Sequence, residues 1–344
     1  MVSQLDASLS VGLESTFGTP VTTTRAYEFT QETLTDKITS AQGNGLRPGH
    51  ITSRATRRVV QQEDPSGAVT IDVPTAGLGL LLNAAFGSVT NELAENGSTT
   101  ATKTYQQVHT PLWGAAPTLT VQKCVPDLDG NIQPYTYDGM AVSKLTLDAK
   151  QGAILTAAID LSGRAVTQGA LNAFDPLHYV DAGVYSFVDG SIVLASSATS
   201  PTATALGSGT PVAGITDASI DWETGLDGKG WTFGSGVHRG RRQQRLLAKL
   251  SGKMTAELID PTMPTAYLKQ QRLAMLLTFA YSQPIEDGFN PTLQVYMPCV
   301  LLDGDLPQVN GAAVRTVSAS FTGYETDDGQ PPITVVYRTA DATL

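Results

Sequence analysis

Lys144-Leu145-Thr146-Leu147-Asp148-Ala149-Lys150-Gln151-Gly152-Ala153-Ile154-Leu155-Thr156-Ala157-Ala158-Ile159-Asp160-Leu161-Ser162-Gly163 is the stretch that decides the fold class. Leu145 and Leu147 share one face, and Leu155, Ala157, Ile159 and Leu161 share another, each set alternating with the residues between. Successive strand side chains point to opposite faces, whereas a helix would repeat its apolar positions every three or four residues. With Lys150, Gln151 and Gly152 at the turn, the stretch reads as a long β-hairpin.

The same habit continues outward. Val184 to Leu194, Ile215 to Trp222, Leu293 to Val295, Val300 to Leu302, Val314 to Phe321 and Ile333 to Tyr337 are short apolar-rich segments bounded by Pro, Gly, Asn or Asp. Composition agrees, since 33 Gly and 19 Pro in 344 residues suit many short elements joined by turns. Two segments read as amphipathic helices, each preceded by proline: Thr75 to Phe86 after Pro74, and Thr265 to Ala280 after Pro264.

The order of signals suggests an internal duplication. Gly18-Thr19-Pro20-Val21 recurs as Gly209-Thr210-Pro211-Val212, each before a strand and a Gly-rich stretch (Lys37 to His50; Glu223 to His238). Arg57-Arg58 is answered by Arg241-Arg242, Ser66-Gly67 by Ser251-Gly252, and Leu161-Ser162-Gly163 by Phe321-Thr322-Gly323. Shared order is the signature of a repeated unit, here at an offset that is about the same early on and shorter later. The expectation is a mainly β chain of two tandem β-sandwich domains, residues 1–178 and 179–344, each with one flanking α-helix and a long Gly-rich loop. The first carries an extra polar stretch from Asn91 to Thr104, and the second a flexible loop from Ser196 to Gly214.

Charge and motif content narrow the function. A net charge of −10 argues against a surface that grips phosphate, which requires dense Lys and Arg. Met1 to Gly12 shows no secretory signal. The longest apolar run, Leu273 to Tyr281, is far short of the roughly 20 residues that span a bilayer. Cys124 and Cys299 make no disulfide framework and read as core residues. Gly207-Ser208-Gly209 and Gly234-Ser235-Gly236 do not form a nucleophile elbow, and Gly77-Leu78-Gly79 lacks a dinucleotide fingerprint. His50, His109, His178 and His238 have no metal-ligand spacing, and Asp127, Asp129 and Asn131 read as a tight turn. No cofactor or catalytic residue is expected.

What stands out is local positive charge in an acidic chain: Arg47, Arg54, Arg57 and Arg58 in the first half, and Arg239, Arg241, Arg242 and Arg245 in the second. Three readings stay open: contact with carboxylates on a neighbouring subunit, a solvated strand edge, or a nucleic-acid patch. No aromatics interleave with these arginines as single-strand stacking needs.

Val11-Gly12-Leu13-Glu14-Ser15-Thr16-Phe17-Gly18-Thr19-Pro20-Val21, Tyr27-Glu28-Phe29, Leu46-Arg47-Pro48-Gly49, Gly67 to Pro74 leading into Gly77-Leu78-Gly79-Leu80-Leu81-Leu82, and Tyr137-Asp138-Gly139 together resemble the tail-tube proteins of long-tailed, siphovirus-type phages of actinobacteria. The resemblance implies a virion protein, assembled in the host cytoplasm, whose β-sandwich subunits form rings stacked into a hollow tube through which DNA passes without specific binding. Its implied partners are further copies of itself and the tape-measure, tail-terminator and distal-tail proteins, with no membrane. It also implies that Lys37 to Arg58 and Glu223 to Arg242 are ring-stacking loops. Asp148, Asp160, Asp303 and Asp305 are candidates for lining the lumen, where carboxylates repel phosphate within a Debye length of about 8 to 10 Å; ordinary exposed acids are the alternative. A duplicated chain implies three subunits per ring, with six as the alternative. A tube-completion protein or a β-sandwich adhesin is the competing function.

Overall fold

The computed structural model describes residues 4–212, 214–257, 262–304 and 316–344. The strands are β1 Ser8–Leu13, β2 Arg25–Tyr27, β3 Gln31–Glu32, β4 Thr35–Gln42, β5 Arg58–Asp72, β6 Gly87–Asn96, β7 Thr99–Pro111, β8 Leu119–Pro126, β9 Ile132–Lys150, β10 Thr156–Ser162, β11 Ala165–Gln168, β12 Gly190–Ala195, β13 Ile215–Glu223, β14 Lys249–Glu257, β15 Leu273–Ala280, β16 Thr292–Gly304, β17 Thr316–Gly323 and β18 Thr334–Thr339. The helices are α1 Gly79–Phe86 and α2 Thr262–Leu268. The chain is mainly β, as its period-two patterns predict.

The deciding stretch forms the C-terminal part of β9 and all of β10. Leu145 lies opposite Ile159 and Leu147 opposite Ala157, so both apolar sets face one core. β9 serves two sheets. Its first part pairs with β8 and β11, its second with β10 and β13. The handover falls between Met140 and Ala141, just after Gly139, whose φ of 62° only glycine adopts without strain and whose Cβ would meet Phe17 and Arg164 at 2.8 Å. β16 does the same across Pro298: Thr292 to Tyr296 pair with β18, and Val300 to Gly304 with β17.

The result is one antiparallel sheet, ordered β4-β5-β10-β9-β13-β14-β17-β16, covered on one side by two further sheets. The first cover is β2-β1-β8-β9-β11, and the second is β12-β15-β16-β18-β7-β6. Core residues from all three, including Val11, Val121, Ile159, Met254, Phe321 and Val335, belong to one apolar cluster. Burying such side chains contributes roughly 1.5–3 kcal/mol each, which is why the alternation fixes which face turns inward.

Three expectations need correction. The helix expected over Thr265 to Ala280 ends at Leu268, and Leu273–Ala280 is strand β15 between β12 and β16. Leu273 to Leu277 are all buried, so the run is apolar on both faces and its periodicity cannot separate helix from strand. The other helix begins at Gly79, four residues later than expected. The segment expected to be a flexible loop is anchored. Arg338 and Gln106 donate to carbonyls of Thr202, Thr204 and Ala205, and Gln294 exchanges two bonds with Gly207.

The polar insertion from Asn91 to Thr104 is part of the β6–β7 hairpin. β7 pairs with β18, Val335 opposite His109 and Thr339 opposite Tyr105, so this first-half hairpin completes the second cover sheet. Glu286 clasps its tip, accepting from the backbone amides of Thr102 and Lys103 and the hydroxyls of Thr102 and Thr104. Those bonds hold its carboxyl down at about 2.

Candidate assembly surfaces

The uncovered face of the long sheet is polar because buried and outward residues alternate along β10, β13, β14 and the C-terminal part of β5. One row runs straight across seven strands: Asp72, Thr156, Asp148, Ser219, Lys253, Ser320 and Asp303 are successive lateral partners. Asp160 stands in a second row, beside Lys144 and then Glu223. The sequence-selected acids Asp148, Asp160 and Asp303 therefore share one face, while Asp305 lies outside the described residues. Asp148 pairs with Lys150 at 2.5 Å. Asp221 pairs with Lys144 at 2.9 Å and accepts from Thr146, which together hold its carboxyl below the usual range although burial opposes them.

Sequence reasoning missed Asp217, Asp221 and Glu223 on this face. Their parity against buried Ala218, Ile220 and Trp222 in the same strand was the available signal.

The sheet ends in two incomplete edges. Among the described residues, β4 pairs only with β5, and Leu301 to Gly304 of β16 pair only with β17. From the first edge the β4–β5 hairpin projects, its tip bearing Arg47, Arg57 and Arg58 exposed and Arg54 partly covered. Leu46 and Ile51 on the tip are fully exposed, at 102% and 101%.

The second-half arginines are placed differently. The segment between β13 and β14 folds back onto the first half. Arg239 is 2% exposed, donates to the Gly163 carbonyl, pairs with Asp64 at 2.6 Å and lies 4.2 Å over the Trp231 ring. Val237 accepts from the Glu63 amide at 2.9 Å, and His238 Nδ1 lies 3.2 Å from Glu63. Arg245 caps α1: it donates to the carbonyls of Ala84, Ala85 and Phe86 at 3.0, 2.9 and 2.6 Å, and to Leu112 at 3.2 Å. A cation there meets the negative end of the helix dipole. Arg241 pairs with Asp227 at 2.5 Å, and Arg242 donates to Ser15. Trp222 stacks on Phe86 at 5.7 Å, so the two halves also share aromatic packing.

The family model for phage tail tube proteins matches residues 4–323 of this sequence. The chain belongs to the phage tail tube protein family. Nearly the whole described fold lies within that match, so the long sheet and its edges are features of a tail tube protein, with a structural role in the virion tail. No curated protein matches the chain.

Next to the capped helix this tail tube protein has an apolar groove of about 560 Å³, lined by Leu112, Trp113, Leu246, Leu247, Leu250 and Tyr324 and rimmed by Glu325. Trp113 and Leu247 are 81% and 92% exposed. No sequence pattern marks this groove, because it joins the end of β7 to residues more than a hundred positions later.

Proposed function

We propose that this chain is the subunit that builds the hollow tail tube of a long-tailed phage of actinobacteria, with three copies closing each ring and DNA passing through the lumen. The carrying observation is the β9–β13 junction. Residues 1–178 and 179–344 each contribute four strands to the long sheet, β4-β5-β10-β9 and β13-β14-β17-β16, and these meet edge to edge by seven residue pairs from Asp217–Lys150 to Glu223–Lys144.

The same element order in both halves supports reading them as one duplicated unit. Gly67 faces Leu161 and Gly252 faces Phe321 at corresponding positions of the two sheets. A strand edge left open on a sheet is a template for another chain. Repeating the internal junction between copies would join β16 of one subunit to β4 of the next, so three copies present six equivalent units.

The acidic rows through Asp72, Asp148, Asp160 and Asp303 then face the lumen, and like charge keeps the duplex from adhering. The hairpin-tip arginines Arg47, Arg54, Arg57 and Arg58 serve contacts between copies. Assembly in the host cytoplasm, with the tape-measure, terminator and distal-tail proteins at the tube's length and ends, completes the reading. Electron microscopy of the purified protein tests it: long hollow tubes with three chains per ring are expected. A protein that stays monomeric at high concentration overturns the tube reading, and rings of six full-length copies overturn the stoichiometry.

A further inference from the structure

The apolar groove has an internal counterpart. Sheet register makes Gly67 correspond to Gly252 and Leu161 to Phe321. Counting along the same strands, Glu63, Asp64 and Gly163 correspond to Ala248, Lys249 and Gly323. The first three are where Val237, His238 and Arg239 of the second-half segment seat on the first half. Ala248 and Gly323 line the groove. The groove is therefore the second half's version of a seat that the first half already has filled.

From this we infer that the groove receives the tip of the β4–β5 hairpin of a neighbouring copy in the same ring, an inference that rests on the ring reading above. Strand spacing carries the geometry. The seated segment leaves β13 and reaches β5 across β9 and β10, three strands away. A neighbour's β4 set beside β16 would lie the same three strands from β14, across β16 and β17. Within its own chain the hairpin is separated from β14 by β5, β10, β9 and β13, roughly 24 Å at about 4.8 Å per strand.

Chemistry agrees with this occupant. The tip, residues 43–58, carries four arginines and no carboxylate, while Glu325, Asp327 and Asp328 stand exposed beside the groove. Arg272 pairs with Asp327, and Asp328 accepts from Thr326 and Gln330, so Glu325 on the groove's rim is the carboxylate left to meet the hairpin. Ile51, fully exposed on the tip, follows His50 as Arg239 follows His238 at the end of the other Gly-rich stretch. Where the first half offers Asp64 to an arginine, the second has Lys249 and an apolar wall suited to isoleucine. The groove also runs continuously into the contact between halves, through Leu112, Arg245 and Trp222. Exposed apolar grooves of this kind mark contact sites, and a contact between two different patches propagates around a ring.

The test is the double variant Ile51→Cys/Leu247→Cys, oxidised after assembly; the native Cys124 and Cys299 are buried. Lateral docking predicts disulfide-linked species that stop at the ring number, with each single variant giving none. An open-ended ladder would place the hairpin on the next ring and overturn the lateral assignment. Tubes that form without any crosslink overturn the groove as receiver while leaving the ring reading intact, whereas a wild-type chain that never assembles removes both. A second variant, Leu247→Glu, is expected to melt like wild type as an isolated chain and to raise the concentration needed for assembly at least tenfold. An unchanged assembly threshold would equally count against the groove.

Discussion

Replacing Arg245 by alanine separates two roles that sequence alone leaves open, a contact between subunits and a lock inside one chain. The guanidinium serves four carbonyls, three of them at the end of α1, and its burial lowers its own pKa to about 10. Hydrogen bonds to charged groups contribute about 1.5–3 kcal/mol each, with strong non-additivity, and a helix C-terminal cation adds up to about 2. The desolvation that depresses the pKa works against these gains. The net loss is expected at about 3 kcal/mol. At roughly 2.1 cal/mol/K per residue of unfolding entropy, a chain of 344 residues that unfolds as one unit would melt about 4 °C lower. The assay is thermal unfolding of dilute, unassembled protein, with Arg245→Lys expected to fall between wild type and alanine because it keeps charge but loses the fork. An Arg245→Ala chain that melts within about 1 °C of wild type yet fails to assemble would refute the capping argument.

Three further outcomes are expected. Gly252→Ala would drive a Cβ into the Ser219 carbonyl and the Phe321 ring, costing about 1–3 kcal/mol of overpacking in urea unfolding, and an unchanged midpoint would contradict this. His109 is fully buried without a partner, and burial lowers its pKa to about 3. Its folded value lies below the unfolded one near 6.5, so stability is complete above about pH 6.5 and declines toward pH 3; His109→Leu should flatten that decline, and an NMR titration of folded His109 near 6.5 would disprove it. Glu286 titrates at about 2 when folded, so its clasp is intact above its usual value near 4.5 and is lost as pH falls through about 2. Amide exchange at Thr102 and Lys103 should accelerate in Glu286→Gln at neutral pH, and equal protection in both proteins would exclude the clasp.

Legibility followed the range of the forces involved. The β9–β10 hairpin was readable because its alternation is local and one side of it is buried. The Asp127 turn was readable for a similar reason: Asp127 accepts from the amides of Asp129 and Asn131, both within four residues. β15 was misread because burial on both faces erases the period that distinguishes strand from helix. The arginines were found by composition, but their surroundings were not: Arg239 and Arg245 lie against Gly163 and Phe86, 76 and 159 positions away.

By itself the sequence determined the β class, the deciding hairpin, the recurrence of paired signals along the chain and the acids alternating with buried residues, since each follows from neighbours a few positions apart. Only the tertiary structure decided that the two halves share one continuous sheet, that a first-half hairpin completes the second cover, and that Arg239 and Arg245 are bound within the chain while Arg47, Arg57 and Arg58 stand in solvent. Strand edges and seats are made by segments distant in sequence, and the chain has no local code for which of them will meet.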